Sequence, residues 1–204
     1  MSSQNHLLKI TRLESLTDGI FAIAMTILVL DLRMPLGTTN ENLAVIFSHV
    51  ILVKLSIYIG SFITLGTLWV AMNFQLGLLD RLTRPYLWTN IFYLMVVCVV
   101  PFSASFLAAY PKNPLGINFY ALNLICASIG QFLTFQCAHI SQLNKASYTS
   151  AIRHAVVRRI LLAPFFYVAA MLTAHWNMTF AFCLLLTPTL LYLFPGRVDR
   201  FEQS

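Results

Sequence analysis

Charge is scarce in this sequence. Only 10% of its 204 residues are Asp, Glu, Lys or Arg, where a soluble domain carries about a quarter. Together with a 58% hydrophobic fraction, 16 phenylalanines and a mean hydropathy of +0.75, this excludes an ordinary water-soluble fold and leaves no room for a separate soluble domain. Cysteine is sparse and unpatterned. Cys98, Cys126, Cys137 and Cys183 sit in apolar stretches without CxxC spacing, so they read as buried thiols, neither disulfides nor metal ligands. No HExxH or GxSxG occurs, His49, His139, His154 and His175 are scattered, and carboxylates do not pair within a helix away from its ends. Nothing here builds a hydrolytic centre, and no enzyme activity or cofactor is expected. No glycine-rich loop precedes a helix, which removes the usual phosphate-binding devices. The net charge of +6 lies in short loops and at helix ends, a distribution that does not fit nucleic acid.

What is present is a set of six apolar segments, over about 13–33, 43–79, 86–109, 117–142, 151–174 and 176–194. They predict an all-α polytopic membrane protein with six transmembrane helices in one domain spanning 1–204. The second segment is longer than a bilayer requires, so one end should project into water. Pro101 predicts a kink or break in the third. Lys9 and Arg12 precede an apolar run as in a signal peptide, but Asp18 interrupts it, so the segment reads as a retained helix. Six spans place Lys9, Arg12, Arg81, Arg84, Lys145, Arg153, Arg158, Arg159, Arg197 and Arg200 on one side, and Arg33, Lys54 and Lys112 on the other. Cytoplasmic loops hold the excess of Lys and Arg, so both termini are expected in the cytoplasm. Arg153, Arg158 and Arg159 read as a patch facing anionic lipid.

The first segment is the most informative. The twelve residues from Gly19 to Leu30 rise only about 18 Å as a helix, against a hydrocarbon core of about 30 Å. Asp18 and Asp31 flank that run and cannot both reach headgroups easily, so this helix is expected to line something wet. Asp18 has a short side chain and needs a partner, for which polar groups of a neighbouring helix are the natural source. Ile23, Ile27 and Leu30 recur at i, i+4 and i+7 and stack on one face. Ser15, Gly19, Ala22 and Thr26 form an adjacent seam of small residues suited to close helix packing. Copies arranged around an axis with the column inward would present stacked apolar rings, which gate by dewetting. An isoleucine stripe is ordinarily just packing surface, so the stripe alone does not separate a pore from a plain bundle. Asp31 and Glu41 would give an outer mouth a negative field that concentrates cations.

Residues 12–26, with Arg12, Asp18, Gly19, Phe21, Ala22, Ile23, Ala24 and Thr26, resemble the Arg-x-x-x-Phe-Ser-Asp-Gly-x-Phe-Ala-Ile-Ala-x-Thr signature of the transmembrane protein 175 family, potassium channels of bacteria and lysosomes. Asn90 to Leu94, Pro101-Phe102-Ser103-Ala104-Ser105 and Trp69 are similar to further blocks of that family. The resemblance implies a homotetramer with a central pore lined by helix one. It implies potassium conduction without a TVGYG loop, and no such loop occurs here. On that template the potassium path runs along Ile23, Ile27 and Leu30, with Ile23 narrowest. Thr26 supports selectivity, and Arg12 and Asp18 join a polar network with Trp69 and Asn73. Leu16 and Thr17 replace the signature's Phe-Ser, and Asn73 stands where a His is expected.

The rival reading is a secondary transporter using a polar face of the fourth segment, Asn123, Gln131 and Thr134. Such residues more often make interhelical hydrogen bonds, and the repeated halves common in transporters are not evident. The sequence is therefore read as a passive potassium-selective channel. Its expected partners are further copies of itself, the lipid bilayer and permeating potassium ions, and its expected place is the bacterial plasma membrane.

Overall fold

The computed structural model describes residues 2–33 and 46–193. Glu41, Arg197 and Arg200 lie outside the described residues, as do the side chains of Lys9 and His49. Seven helices follow in order: α1 Ser2–Ile27, α2 Leu52–Gly77, α3 Arg84–Cys98, α4 Val100–Ala109, α5 Pro114–Ile140, α6 Ser150–Thr173 and α7 Met178–Leu193. A 3₁₀ turn, Leu28–Asp31, extends α1, and a π-helical turn, Phe47–Ile51, leads into α2. Five stretches are long and apolar enough to cross a bilayer, and Met178–Tyr192 is a shorter apolar helix. Among the described residues the protein is thus an all-helical, multi-pass membrane protein, with five helical stretches of spanning length and a sixth, shorter apolar helix.

The third span is α3 and α4 together. Pro101 lacks the N–H that would bond back to Val97, and the ladder tightens just before it, with Val99 N–H donating to the Val96 carbonyl at 3.1 Å. Helical bonding resumes when Ser103 N–H donates to Val99 O at 3.0 Å. The expected break is present, one turn long, and the two halves remain one span.

α5 is the hub, packing against α3, α4 and α6, while α7 closes on α6 and α2. The largest enclosed side chains are Tyr86, Tyr93, Phe21, Leu65 and Met72. Lipid is as apolar as leucine, so interior polar bonds and close contacts matter more for helix association than apolar burial does. Thr64 and Thr189 pair their hydroxyls at 2.9 Å, and Tyr120 donates to Ser61 Oγ at 3.0 Å. Gly130 lets Tyr93 approach, since a β-carbon there would lie 3.2 Å from Tyr93 Cδ2.

At one end, Asp80 N–H donates to Leu143 O and Lys145 N–H to Leu78 O, both at 2.8 Å, and Lys145 Nζ reaches Gly77 O at 2.7 Å. These bonds tie the α2–α3 and α5–α6 connections together, so Arg81, Arg84 and Lys145 share one end of the bundle, as the alternation of spans requires. The cysteines correct the sequence reading in part. All four are unpaired, but Cys98, Cys126 and Cys183 are exposed and Cys137 is half-buried. The outside of a membrane protein is itself apolar, so an apolar neighbourhood in sequence does not imply an interior position.

Candidate functional site

α1 divides cleanly into two faces. Ile10, Leu13, Thr17, Phe21, Ala24 and Leu28, spaced by three or four residues, are buried against the rest of the subunit. The opposite side carries Ile23 and Ile27, which are 59% and 44% exposed. Leu30 belongs to the 3₁₀ turn, where residues i and i+3 eclipse. It therefore stacks nearly over Ile27 rather than drifting around the axis. The same geometry sets Asp31 over the buried Leu28 and turns it towards the protein. The column Ile23–Ile27–Leu30 borders an open groove of about 460 Å³ whose other wall includes Cys98, Pro101 and Phe102 of the third span.

The ends of α1 are fastened by hydrogen bonds. Trp69 Nε1 on α2 donates to Asp18 Oδ1 at 2.8 Å. Ser105 Oγ on α4 donates to Asp31 Oδ1 at 2.8 Å. Carboxylate acceptors make these bonds stronger than neutral ones. The helix is thus pinned to α2 at Asp18 and to α4 at its C-terminal end, about 20 Å apart at 1.5 Å per residue. Of the expected polar network, Asp18 and Trp69 come together. Arg12 is exposed and Asn73 half-buried, and neither joins the Asp18–Trp69 pair. Thr26, also exposed, donates its hydroxyl to Ile23 O at 2.9 Å. With its proton so engaged, the Thr26 oxygen keeps lone pairs facing outward.

The small-residue seam makes no tight contact within the subunit. Ser15, Gly19, Ala22 and Thr26 are exposed, and a β-carbon on Gly19 would meet nothing within 4 Å.

The polar residues of α5 are committed inside the bundle. Asn123 accepts from Ser103 Oγ at 3.2 Å and donates to Val96 O at 3.3 Å, linking α5 to both halves of the broken third span. Thr134 returns its hydroxyl to Gly130 O. Gln131 differs, because it is buried with its Nε2 unpartnered. Sequence reasoning missed the Ser105–Asp31 bond, although Ser105 lay within a block singled out for its motif. It also missed Gln75, an isolated amide in the last turn of α2 that carries no spacing signal.

Comparison with known proteins follows the same division. The family model described as endosomal/lysosomal potassium channel TMEM175 matches residues 12–101, which are α1 through the break in the third span. A potassium channel of Streptomyces collinus is 29% identical over 128 residues, covering 61% of this chain and 60% of that relative. The aligned part therefore spans only three-fifths of that relative's length. A potassium channel of a Chryseobacterium species is 25% identical over 195 residues, covering 95% and 96% of the two chains. The crystal structure of a lysosomal potassium-selective channel TMEM175 homolog from Chamaesiphon minutus superposes with a TM-score of 0.73 at 21% identity, covering 91% of this chain and 96% of that one. That likeness establishes a shared fold. Over residues 12–101 the chain is similar to the TMEM175 family.

Proposed function

We propose that this chain forms a passive, potassium-selective cation channel without enzymatic activity, as a homotetramer in which α1 of each subunit surrounds the conduction axis. One observation carries the reading: α1 is fastened at both ends by Trp69–Asp18 and Ser105–Asp31, yet its apolar column and its small-residue seam find no tight partner within the subunit. A helix held this way presents both a closing surface and a packing surface to further copies. The potassium names of the relatives aligned at 25–29% identity point the same way.

In this reading the rings of Ile23, Ile27 and Leu30 exclude water when close and admit partly dehydrated cations when separated. Thr26 offers a hydroxyl oxygen beside the narrowest ring. The chain forms a single channel domain, and the arginine-rich end with both termini faces the cytoplasm of a bacterial cell. A transporter built on the α5 polar face is disfavoured, because Asn123 is already bonded to Ser103 and to Val96 O of the third span, and Thr134 to Gly130 O of its own helix.

Cysteine accessibility along α1 tests the assignment. After Cys98, Cys126, Cys137 and Cys183 are replaced by serine, Ile23→Cys, Ile27→Cys and Val29→Cys proteins are reconstituted under voltage clamp with a potassium gradient. A charged thiol reagent should block current through the variants at 23 and 27 and spare that at 29. Block at 29 alone, or at none of the three, would remove α1 from the ion path.

A further inference from the structure

A second opening lies on the subunit, distinct from the groove beside the isoleucine column but touching α1 at Met25. It is a groove of about 730 Å³ running beside α2, with α5, α6 and the end of α7 forming its other walls. That volume is in the range of small-molecule sites. Two glutamines line it. Gln75 is 4% exposed and Gln131 is 2% exposed, and both Gln75 amide atoms and Gln131 Nε2 lack any hydrogen-bond partner. Buried amides are nearly always paired, because leaving one empty costs about 1–3 kcal/mol. Three unpaired amide atoms, just beneath the surface of two residues that line one cavity, would be satisfied by a ligand with both acceptors and donors once the side chains turn outward.

The groove changes character along its length. Phe62, Ile63, Gly66 and Val70 line one end, whereas Gln75, Gln131 and Arg159 line the other. From Phe62 to Gln75 the rise along α2 is about 20 Å, somewhat more than the 15 Å or so of hydrocarbon in one leaflet. The polar end lies at the arginine-rich end of the bundle. There Arg159 is held in place: its Nη2 donates to Tyr192 O at 3.0 Å, its guanidinium lies 4.4 Å from the Tyr192 ring centre, and Tyr192 Oη donates to Arg159 O at 2.7 Å. A positioned guanidinium suits phosphate. Among the described residues no carboxylate lines the groove. Phe62, Trp69 and Val70 are exposed on the subunit, so the apolar end is open at the subunit surface.

We propose that this groove holds an anionic glycerophospholipid from the leaflet on the arginine-rich side. The acyl chain lies along Phe62, Gly66 and Val70. The phosphate accepts from Arg159 and from the Nε2 groups of Gln75 and Gln131, and a glycerol hydroxyl donates to Gln75 Oε1. The charge on the groove, the two-sided hydrogen-bonding need of Gln75 and the polar-to-apolar order across one leaflet select this occupant over a neutral lipid.

Gly66 supplies the test, because a β-carbon there would meet nothing within 4 Å. Gly66→Leu directs a side chain into the groove from a β-carbon position that is open and improves helix propensity. Gln75→Met with Gln131→Met strips the amides at similar side-chain length and gives an independent measurement should the leucine variant not fold. Each full-length protein is reconstituted in nanodiscs of equal parts phosphatidylglycerol and phosphatidylcholine, released into detergent, and weighed by native mass spectrometry. Wild type should retain phosphatidylglycerol over phosphatidylcholine, and both variants should hold it about tenfold or more less tightly, the loss of one to two charge-assisted bonds. Equal retention of the two lipids by wild type, or retention unchanged in the variants, overturns the proposal. So does unchanged lipid with a changed oligomeric state, which would assign the groove to a neighbouring copy. The readout is bound lipid mass, so it stands or fails independently of ion conduction.

Discussion

The Trp69–Asp18 bond should matter more to assembly than to permeation. Trp69→Phe keeps the ring and removes the N–H donor. Asp18→Asn keeps the side-chain shape and one acceptor oxygen but removes the charge. At 2.8 Å to a carboxylate, the bond belongs to a class worth about 1.5–3 kcal/mol net. Asp18 is exposed and Trp69 is more than one-third exposed in the subunit, so water competes and the lower figure, about 1 kcal/mol per subunit, is the better expectation. The bond lies within one subunit, so only the part of its loss that disturbs the surface α1 presents reaches the assembly constant; across the four copies of the proposed tetramer the upper bound is about 4 kcal/mol, on the order of a thousandfold. The assay is a dilution series in detergent, with oligomeric mass followed by light scattering on a sizing column. Each single variant should dissociate at a higher protein concentration than wild type. The double variant should be little worse than either, because both singles break the same bond. Losses that simply add would mean the two residues act separately. An intact tetramer with collapsed potassium selectivity would move Asp18 into the ion path and refute its role as an anchor.

Four further expectations follow from the geometry. Ile23→Ala removes most of an exposed side chain and should raise leak conductance in reconstituted membranes; unchanged currents would take Ile23 out of the constriction. Thr26→Val deletes a hydroxyl bonded only to its own helix, so melting temperature should hold while the potassium-to-sodium permeability ratio, read from reversal potentials, falls. Ser105→Ala frees Asp31, and because both lie at the outer end of α1 it should speed hydrogen exchange in residues 28–31 while leaving residues 10–20 unchanged. Gly130→Ala drives a β-carbon against Tyr93 and should destabilise the fold by about 1–3 kcal/mol, measured as a lower midpoint in thermal unfolding.

The spans were legible in the sequence because hydropathy and length decide them almost alone. The Pro101 break and the need of Asp18 for a partner on another helix could also be read, since each follows from a local rule about proline or about a charge within an apolar run. Hydropathy is blind to which apolar face points inward when the solvent is lipid. That blindness is why Cys98, Cys126 and Cys183 were placed inside when they lie outside. It also hides the contrast between Phe21, fully enclosed, and Ile23, two residues on and facing out. The 3₁₀ turn at Leu28–Asp31 gave no signal, because a one-turn change of helix type has no distinct sequence pattern. The hydrogen bond from Ser105 of α4 to the Asp31 carboxylate is visible only in the fold; the negative charge expected of Asp31 is untouched by it. Gln75 and Gln131 stand 56 residues apart, and only the packing of α2 on α5 brings their amides to one groove.

The central claim is passive potassium conduction, and potassium-against-sodium flux in proteoliposomes holding only the purified protein tests it most directly. The account predicts fast flux down the electrochemical gradient, favouring potassium, with no requirement for a second solute. Flux indistinguishable from protein-free vesicles under a clamped potential, or flux that appears only when another solute moves, would contradict it.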